Sequence, residues 1–164
     1  MKTKNLLTVL LLFTAMTGFA QNDFIQNDLF NKFADHPDIT QVTITKALLN
    51  MVPGMTSSVD MNGVDLSDIM NKLEQIDIFT SKENAAKQLM RTNAIDHFKR
   101  NKSYEVLMKI KDKENNVVFY GLKDGDFIKS LVMFVDGDDE CVLIRLLGKF
   151  TTQDIQKITE STKK

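Results

Sequence analysis

The chain is expected to fold as an α+β two-layer domain: a mostly antiparallel sheet, with a C-terminal four-strand meander, packed against helices. Two observations predict it. Apolar residues recur at helical spacing through most of the first half and at every second position after residue 104. The strands of the second half are separated by short turns such as Asp124-Gly125, which join antiparallel neighbours, while the helices stay segregated from them.

Each element has a local reason. Asp23 to Asp35 carries Phe24, Ile25, Leu29, Phe30 and Phe33 on one stripe and predicts a helix, ended by His36-Pro37. Ile39 to Thr45 alternates and predicts a short strand, followed by a helical turn over Ala47 to Val52. Pro53-Gly54 breaks the chain, and Gly54 to Gly63 has no period and predicts a loop. Leu66 to Leu73 predicts a short helix and Ile76 to Phe79 a short strand. Thr80 and Glu83 have the spacing of a capping box, opening a helix that runs to about Arg100 on Ala86, Leu89, Met90, Ala94 and Phe98.

The meander follows. Tyr104 to Lys111 is the first strand, Asn115-Asn116 a turn, and Val117 to Leu122 the second strand. Phe127 to Val135 is the third and Cys141 to Leu147 the fourth, with Gly148 as its end. The fourth is apolar on both faces apart from Arg145, which places it centrally. Thr151 to Asp154 opens a final helix that turns Ile155 and Ile158 to the core.

The N-terminus predicts export. Lys2 and Lys4 precede the apolar run Leu6 to Phe13, and Gly18-Phe19-Ala20 offers small residues at the two positions a signal peptidase reads. Residues 1–20 are therefore expected to be a signal peptide and residues 21–164 a single α+β domain, periplasmic or secreted. The apolar run is short of the roughly 20 residues that span a bilayer, and no transmembrane segment is expected after signal removal. Without Lys2 and Lys4 the balance is 19 basic against 22 acidic side chains, a net charge of −3. That balance argues against a nucleic-acid partner, which a basic face would announce. A single cysteine, Cys141, cannot form an internal disulfide.

Few residues suggest chemistry. Asp136, Asp138, Asp139 and Glu140 are the densest acids, but their spacing departs from a calcium loop and fits a solvated hairpin turn, as do Asp124 and Asp126. His36 and His97 are the only histidines, and neither sits in a zinc-type pair. Cys141 opens an apolar strand and reads as a buried small hydrophobe. Arg145 is the outlier and the one candidate for a ligand or partner contact. In the middle of an apolar strand its guanidinium must find a carboxylate, reach solvent or bind something. No catalytic residue, metal ligand or cofactor site is expected; Gly-rich phosphate loops, nucleophile elbows and C-x-x-C pairs are missing from the sequence.

Three stretches carry a resemblance: Val42-Thr43-Ile44-Thr45-Lys46, Tyr104-Glu105-Val106-Leu107-Met108, and Leu146-Leu147-Gly148-Lys149-Phe150 followed by Asp154-Ile155. Their order and separation resemble an exported Bacteroidetes family catalogued as domain of unknown function 4252. The resemblance implies an envelope location and no established activity, so it carries no functional residue over to this chain. Some relatives resemble lipoproteins, but this chain has no cysteine near the expected cleavage point.

These observations favour a non-catalytic envelope domain that binds a protein or a small ligand. Two alternatives stand beside it. One is a hydrolase-type enzyme whose site assembles only in three dimensions. The other is a carrier of a hydrophobic ligand, with a pocket lined by Met108, Phe119, Met133 and Phe134.

Overall fold

Alternating apolar residues make strands where both faces can be covered, and the second half of the chain is built almost entirely from them. The structure, a computed structural model, describes residues 28–51, 60–61, 64–65, 67–111, 113 and 115–161. Helix α1 occupies residues 28–34. Strand β1 (Thr40–Thr45) runs directly into helix α2 (Lys46–Met51). A two-residue ladder joins β2 (Asp60–Met61) to β3 (Val64–Asp65), and helix α3 (Ser67–Lys72) leads into β4 (Leu73–Ser81). The long helix α4 spans Asn84–Arg100. Strands β5 (Tyr104–Lys111), β6 (Asn115–Asp124), β7 (Phe127–Gly137) and β8 (Cys141–Phe150) follow, then helix α5 (Thr152–Ser161).

The expected α+β fold is observed. One six-stranded sheet has the order β1-β4-β8-β7-β6-β5, every neighbouring pair antiparallel. The C-terminal meander supplies four of its six strands, and β4 and β1 add to the free edge of β8. That makes β8 an interior strand, as its two apolar faces require. The β6–β7 hairpin closes through Gly125, whose φ of 60° is open to a residue without Cβ.

Side chains alternate across the sheet, so each strand serves two layers. On one face Phe79, Leu122, Val132, Phe134, Cys141 and Leu143 pack against α1 and α4. Leu29, Phe30 and Phe33 come from α1, and Ala86, Met90, Ala94 and Phe98 form the stripe on α4. Rings lock this layer: Phe33 meets Phe79 edge-on at 5.9 Å, and Phe98 stacks on Tyr120 at 4.0 Å. On the opposite face the shorter helices bring Leu49, Ile69 and Ile155 onto Leu73, Ile128, Leu131 and Phe150, at one end of the sheet.

The strands are longer than their apolar runs suggested. β4 keeps Thr80 and Ser81 in its ladder, opposite Val142 and Cys141, so Thr80 does not cap α4. The N-cap is Glu83, with no side-chain cap bond. The Ser81 hydroxyl instead donates to the Asp38 carbonyl at 2.7 Å and accepts the Glu83 amide at 3.2 Å. Gly148 does not end β8 either. It lies opposite Leu73, where a Cβ would collide with the Lys72 carbonyl. Asn115 and Asn116 belong to β6, not to a turn, because Asn116 pairs with Lys111. At the other end of β8, α5 opens on a reciprocal cap: the Thr151 amide donates to Asp154 at 2.7 Å, and the Asp154 amide to the Thr151 hydroxyl at 3.3 Å. The segment Gly54 to Gly63, expected as a loop, carries β2 within it. Residues 1–20, the Asp23–Asn27 part of the first helix, most of that loop and the Ile158 side chain lie outside the described residues.

Candidate functional site

Arg145 sits at the centre of the sheet on the α1/α4 face, directly opposite Asp77 of β4. Its Nε and Nη2 donate to the same Asp77 oxygen at 2.9 and 2.7 Å. The Asp77 side chain is 1% exposed and that of Arg145 12%. The remaining capacity of the carboxylate is filled by the Thr43 hydroxyl at 2.8 Å and the Gln75 amide at 2.8 and 2.9 Å. The guanidinium lies over the Phe30 ring, 3.9 Å from its centroid. A charge pair taken out of water holds only when its hydrogen bonds are completed, and three strands and α1 complete this one. Asp77 was not singled out from sequence. The available signal was an acid between Ile76 and Ile78, in a stretch otherwise apolar enough to be a core strand.

The other polar candidates do not converge on one point. Asp136 accepts from Arg91 Nε at 2.8 Å, and Lys87 donates to the Asp138 carbonyl at 2.5 Å. Glu140 accepts from the Thr80 hydroxyl. These bonds tie the β7–β8 turn to α4 and β4. His36 accepts the Asp38 amide through Nδ1 at 3.2 Å, a turn contact. Cys141 is fully buried, and burial, reinforced by Asp136, pushes its thiol up to about 12 against the opposing charges of Arg91 and Lys87.

His97 lies in a ring cluster with Phe30, Phe98 and Tyr104, centroids 6.2, 5.1 and 6.0 Å away. Burial lowers its pKa, with Asp28 pulling the other way. Beside it a groove of about 600 Å³ runs between α1 and α4, lined by Asp28, Lys32, Asn93, Asp96 and Arg100. His97 Nε2 is buried and without a hydrogen-bond partner, so that nitrogen is not offered to the groove.

The second face of the sheet differs in kind. Its ladder pairs place Val42, Ile78, Ile144, Met133, Phe119 and Met108 in one row across all six strands. On the helix side of that row stand Ile44, Ile76, Leu146 and Leu131. On the other side stand Thr80, Val142, Val135, Val117 and Ile110. From β1 to β6 no charged side chain interrupts these rows; on β5 the helix-side row passes through Gly121 to Glu105, which pairs with Lys123. Leu131 and Phe119, in one cluster with Leu49, Ile69 and Ile155 of α2, α3 and α5, are 2% and 3% exposed. Elsewhere cover is thin: Ile44, Ile76 and Leu146, like Ile78, Ile144, Met133, Met108, Val142, Val135, Val117 and Ile110, are only half-buried, and Val42 is 46% exposed. Where the last row meets the β7–β8 turn, a groove of about 550 Å³ has Val135 and Val142 as its floor and Asp138, Asp139 and Glu140 on its rim.

Of the four residues expected to line a ligand pocket, Met108, Phe119 and Met133 share this face. Phe134 alternates to the α4 side, so the four do not enclose one cavity.

The architecture defines a class: a small α+β domain whose antiparallel sheet is covered by helices on one face and partly open and apolar on the other. Residues 31–158 match the family described as Domain of unknown function (DUF4252), and the chain belongs to that family. Comparison with curated proteins finds no match, and comparison with solved structures finds none. No helix among the described residues is long and apolar enough to cross a membrane.

Proposed function

We propose that this chain is an exported, non-catalytic envelope domain that binds another protein across the open face of its sheet. The observation that carries the reading is the uninterrupted apolar surface of β8, β7 and β6 on the side away from α4, half-buried beyond Phe119. Contiguous exposed apolar surface rimmed by polar groups is characteristic of interaction sites. The rim also indicates what the partner looks like. Asp138, Asp139 and Glu140 border Val135 and Val142, so the partner presents an apolar strip flanked by Lys or Arg. Export rests on Lys2, Lys4, the run Leu6 to Phe13 and the Gly18-Phe19-Ala20 site, and it places the partner in the periplasm or outside the cell.

A second reading is favoured by one observation, the polar groove between α1 and α4, which gathers Asp28, Asp96 and Arg100 near His97. It would take a small polar ligand or serve a hydrolase-type site. The burial of His97 Nε2 counts against a proton-transfer role there.

Capture from native envelope extract separates the two readings when it is done with variants. Val135→Lys with Val142→Lys is expected to lose a specific protein that the wild-type chain retains. Lys32→Glu, in the polar groove, is expected to keep it. A partner retained by the first variant and lost by the second would transfer the function to the groove.

A further inference from the structure

The two edges of the sheet are built differently. β5 carries Glu105, Lys109 and Lys111, and its pairing with β6 slips between Val106 and Met108. Charges and a bulge are the devices that keep an edge from accepting another strand. β1, at the opposite edge, has none of them. Its sequence Thr-Gln-Val-Thr-Ile-Thr contains no charge and no proline, and its register with β4 is unbroken from Thr40↔Thr80 to Thr45↔Gln75. Five of its six residues are exposed. β-branched residues fill every position but Gln41, as a strand that pairs on both sides favours. Of the five large apolar side chains exposed among the described residues, Val42, Leu48 and Met51, at 46%, 48% and 75%, follow one another along β1 and α2, while the β5 edge exposes Val106.

We infer that β1 pairs antiparallel with β1 of a second copy, extending the sheet across a two-fold axis at Thr43. The register follows from the faces. A two-fold perpendicular to the sheet keeps each copy's open face on the same side, so opposed residues must share a face. Centred on Thr43, the pairing sets Val42 against Ile44 of the second copy and joins the two open apolar faces. On the other side it sets Thr43 against Thr43 and Gln41 against Thr45, polar against polar, with no like charges opposed. The same register carries α2, with Leu48 and Met51, alongside residues 38–40 of the second copy. The paired stretch, Gln41 to Thr45 of each chain, is short, so the dimer is a concentration-dependent one at the small end of specific interfaces. This inference concerns the edge and does not depend on what the open face binds.

Sedimentation of the purified chain over a concentration series tests it through charge exchange. Gln41 and Thr45 are both exposed, so replacing them leaves the fold intact. In Gln41→Lys/Thr45→Lys, lysine opposes lysine at both ends of the pairing, and in Gln41→Glu/Thr45→Glu, glutamate opposes glutamate. Each variant alone is expected to dimerise about tenfold more weakly than wild type. An equimolar mixture of the two is expected to recover dimer. If either variant unfolds, cysteines on the open face read the same geometry: oxidising a mixture of Val42→Cys and Ile44→Cys gives a covalent dimer, whereas neither variant alone cross-links. A wild-type chain that stays monomeric at roughly millimolar concentration would overturn the inference. So would a dimer indifferent to the charge variants. A mixture no better than its components would assign the edge to a strand of a different protein.

Discussion

The two faces of the sheet are made by the same strands and solve opposite problems. Toward α4, β8 contributes Cys141, Leu143 and Arg145, the first two with no exposed surface and the arginine paired to Asp77. Toward the other side it contributes Val142, Ile144 and Leu146, all apolar and all only half-buried. The covered face contains the buried ion pair, and the rows of the open face contain no charge until Glu105 on the edge strand β5. A design for stability alone would place polar residues where water reaches and leave the core apolar. The inversion indicates that the covered face specifies the fold and the open face is kept for contact.

The sharpest way to break that contrast is at the ion pair. Arg145→Met leaves Asp77 buried and without its charge partner, and is expected to cost about 3–5 kcal/mol. Urea melts measure it, and an unchanged midpoint would show that the pair does not hold the covered face. Next in size are two neighbours that point to opposite sides. Leu143→Ala is expected to cost about 3–4 kcal/mol, near the upper range for a fully buried leucine. Ile144→Ala is expected to cost about half as much, because its site is already partly open. Equal losses would mean that the second face is as fully packed as the first.

Smaller effects sharpen the picture at the sheet's ends. Asp154 is buried, which would raise its pKa, but Lys72 at 2.8 Å and the amide and hydroxyl of Thr151 hold it below the ordinary carboxylate range. A depressed carboxylate contributes stability that is complete above its unfolded value, about pH 4, and lost as pH falls through the folded value. Asp154→Ala is therefore expected to remove about 1–2 kcal/mol at neutral pH and to flatten the acid limb of the stability profile. Measured melts from neutral to acid pH check both. The smallest effect is chemical. With its thiol pushed up to about 12 and no exposed surface, Cys141 is expected to resist maleimide at pH 8 until the chain is unfolded.

Much of this was legible in the sequence, and the gaps have physical causes. Period-two alternation located every strand of the meander, and the doubly apolar β8 was correctly placed inside the sheet. β4, Leu73–Ser81, was read as Ile76 to Phe79 only, because Leu73 fits the stripe of the preceding helix and Thr80 the start of the next. Pairing between strands 68 residues apart leaves no local trace. Thr80 and Glu83 matched a capping box by spacing, yet Thr80 was already committed to the ladder with Val142. Gly148 looked like a stop and is instead a close approach to the Lys72 backbone. The open face was the least legible feature. Its rows consist of ordinary core residues, and only the positions of α2, α3 and α5 at one end reveal that, among the described residues, the cover runs out.

The claim that most needs testing is that the open face serves binding and not folding. The direct measurement pairs two numbers on one variant, Val135→Lys/Val142→Lys: its urea midpoint and its affinity for the captured partner. If the open face serves binding, the two lysines cost no more than about 2 kcal/mol, as expected at partly solvated positions where their ammonium groups reach water, and affinity falls about a hundredfold, the effect of charges set into an apolar contact. Retained affinity, or a collapse of stability large enough to explain the lost binding, would contradict it.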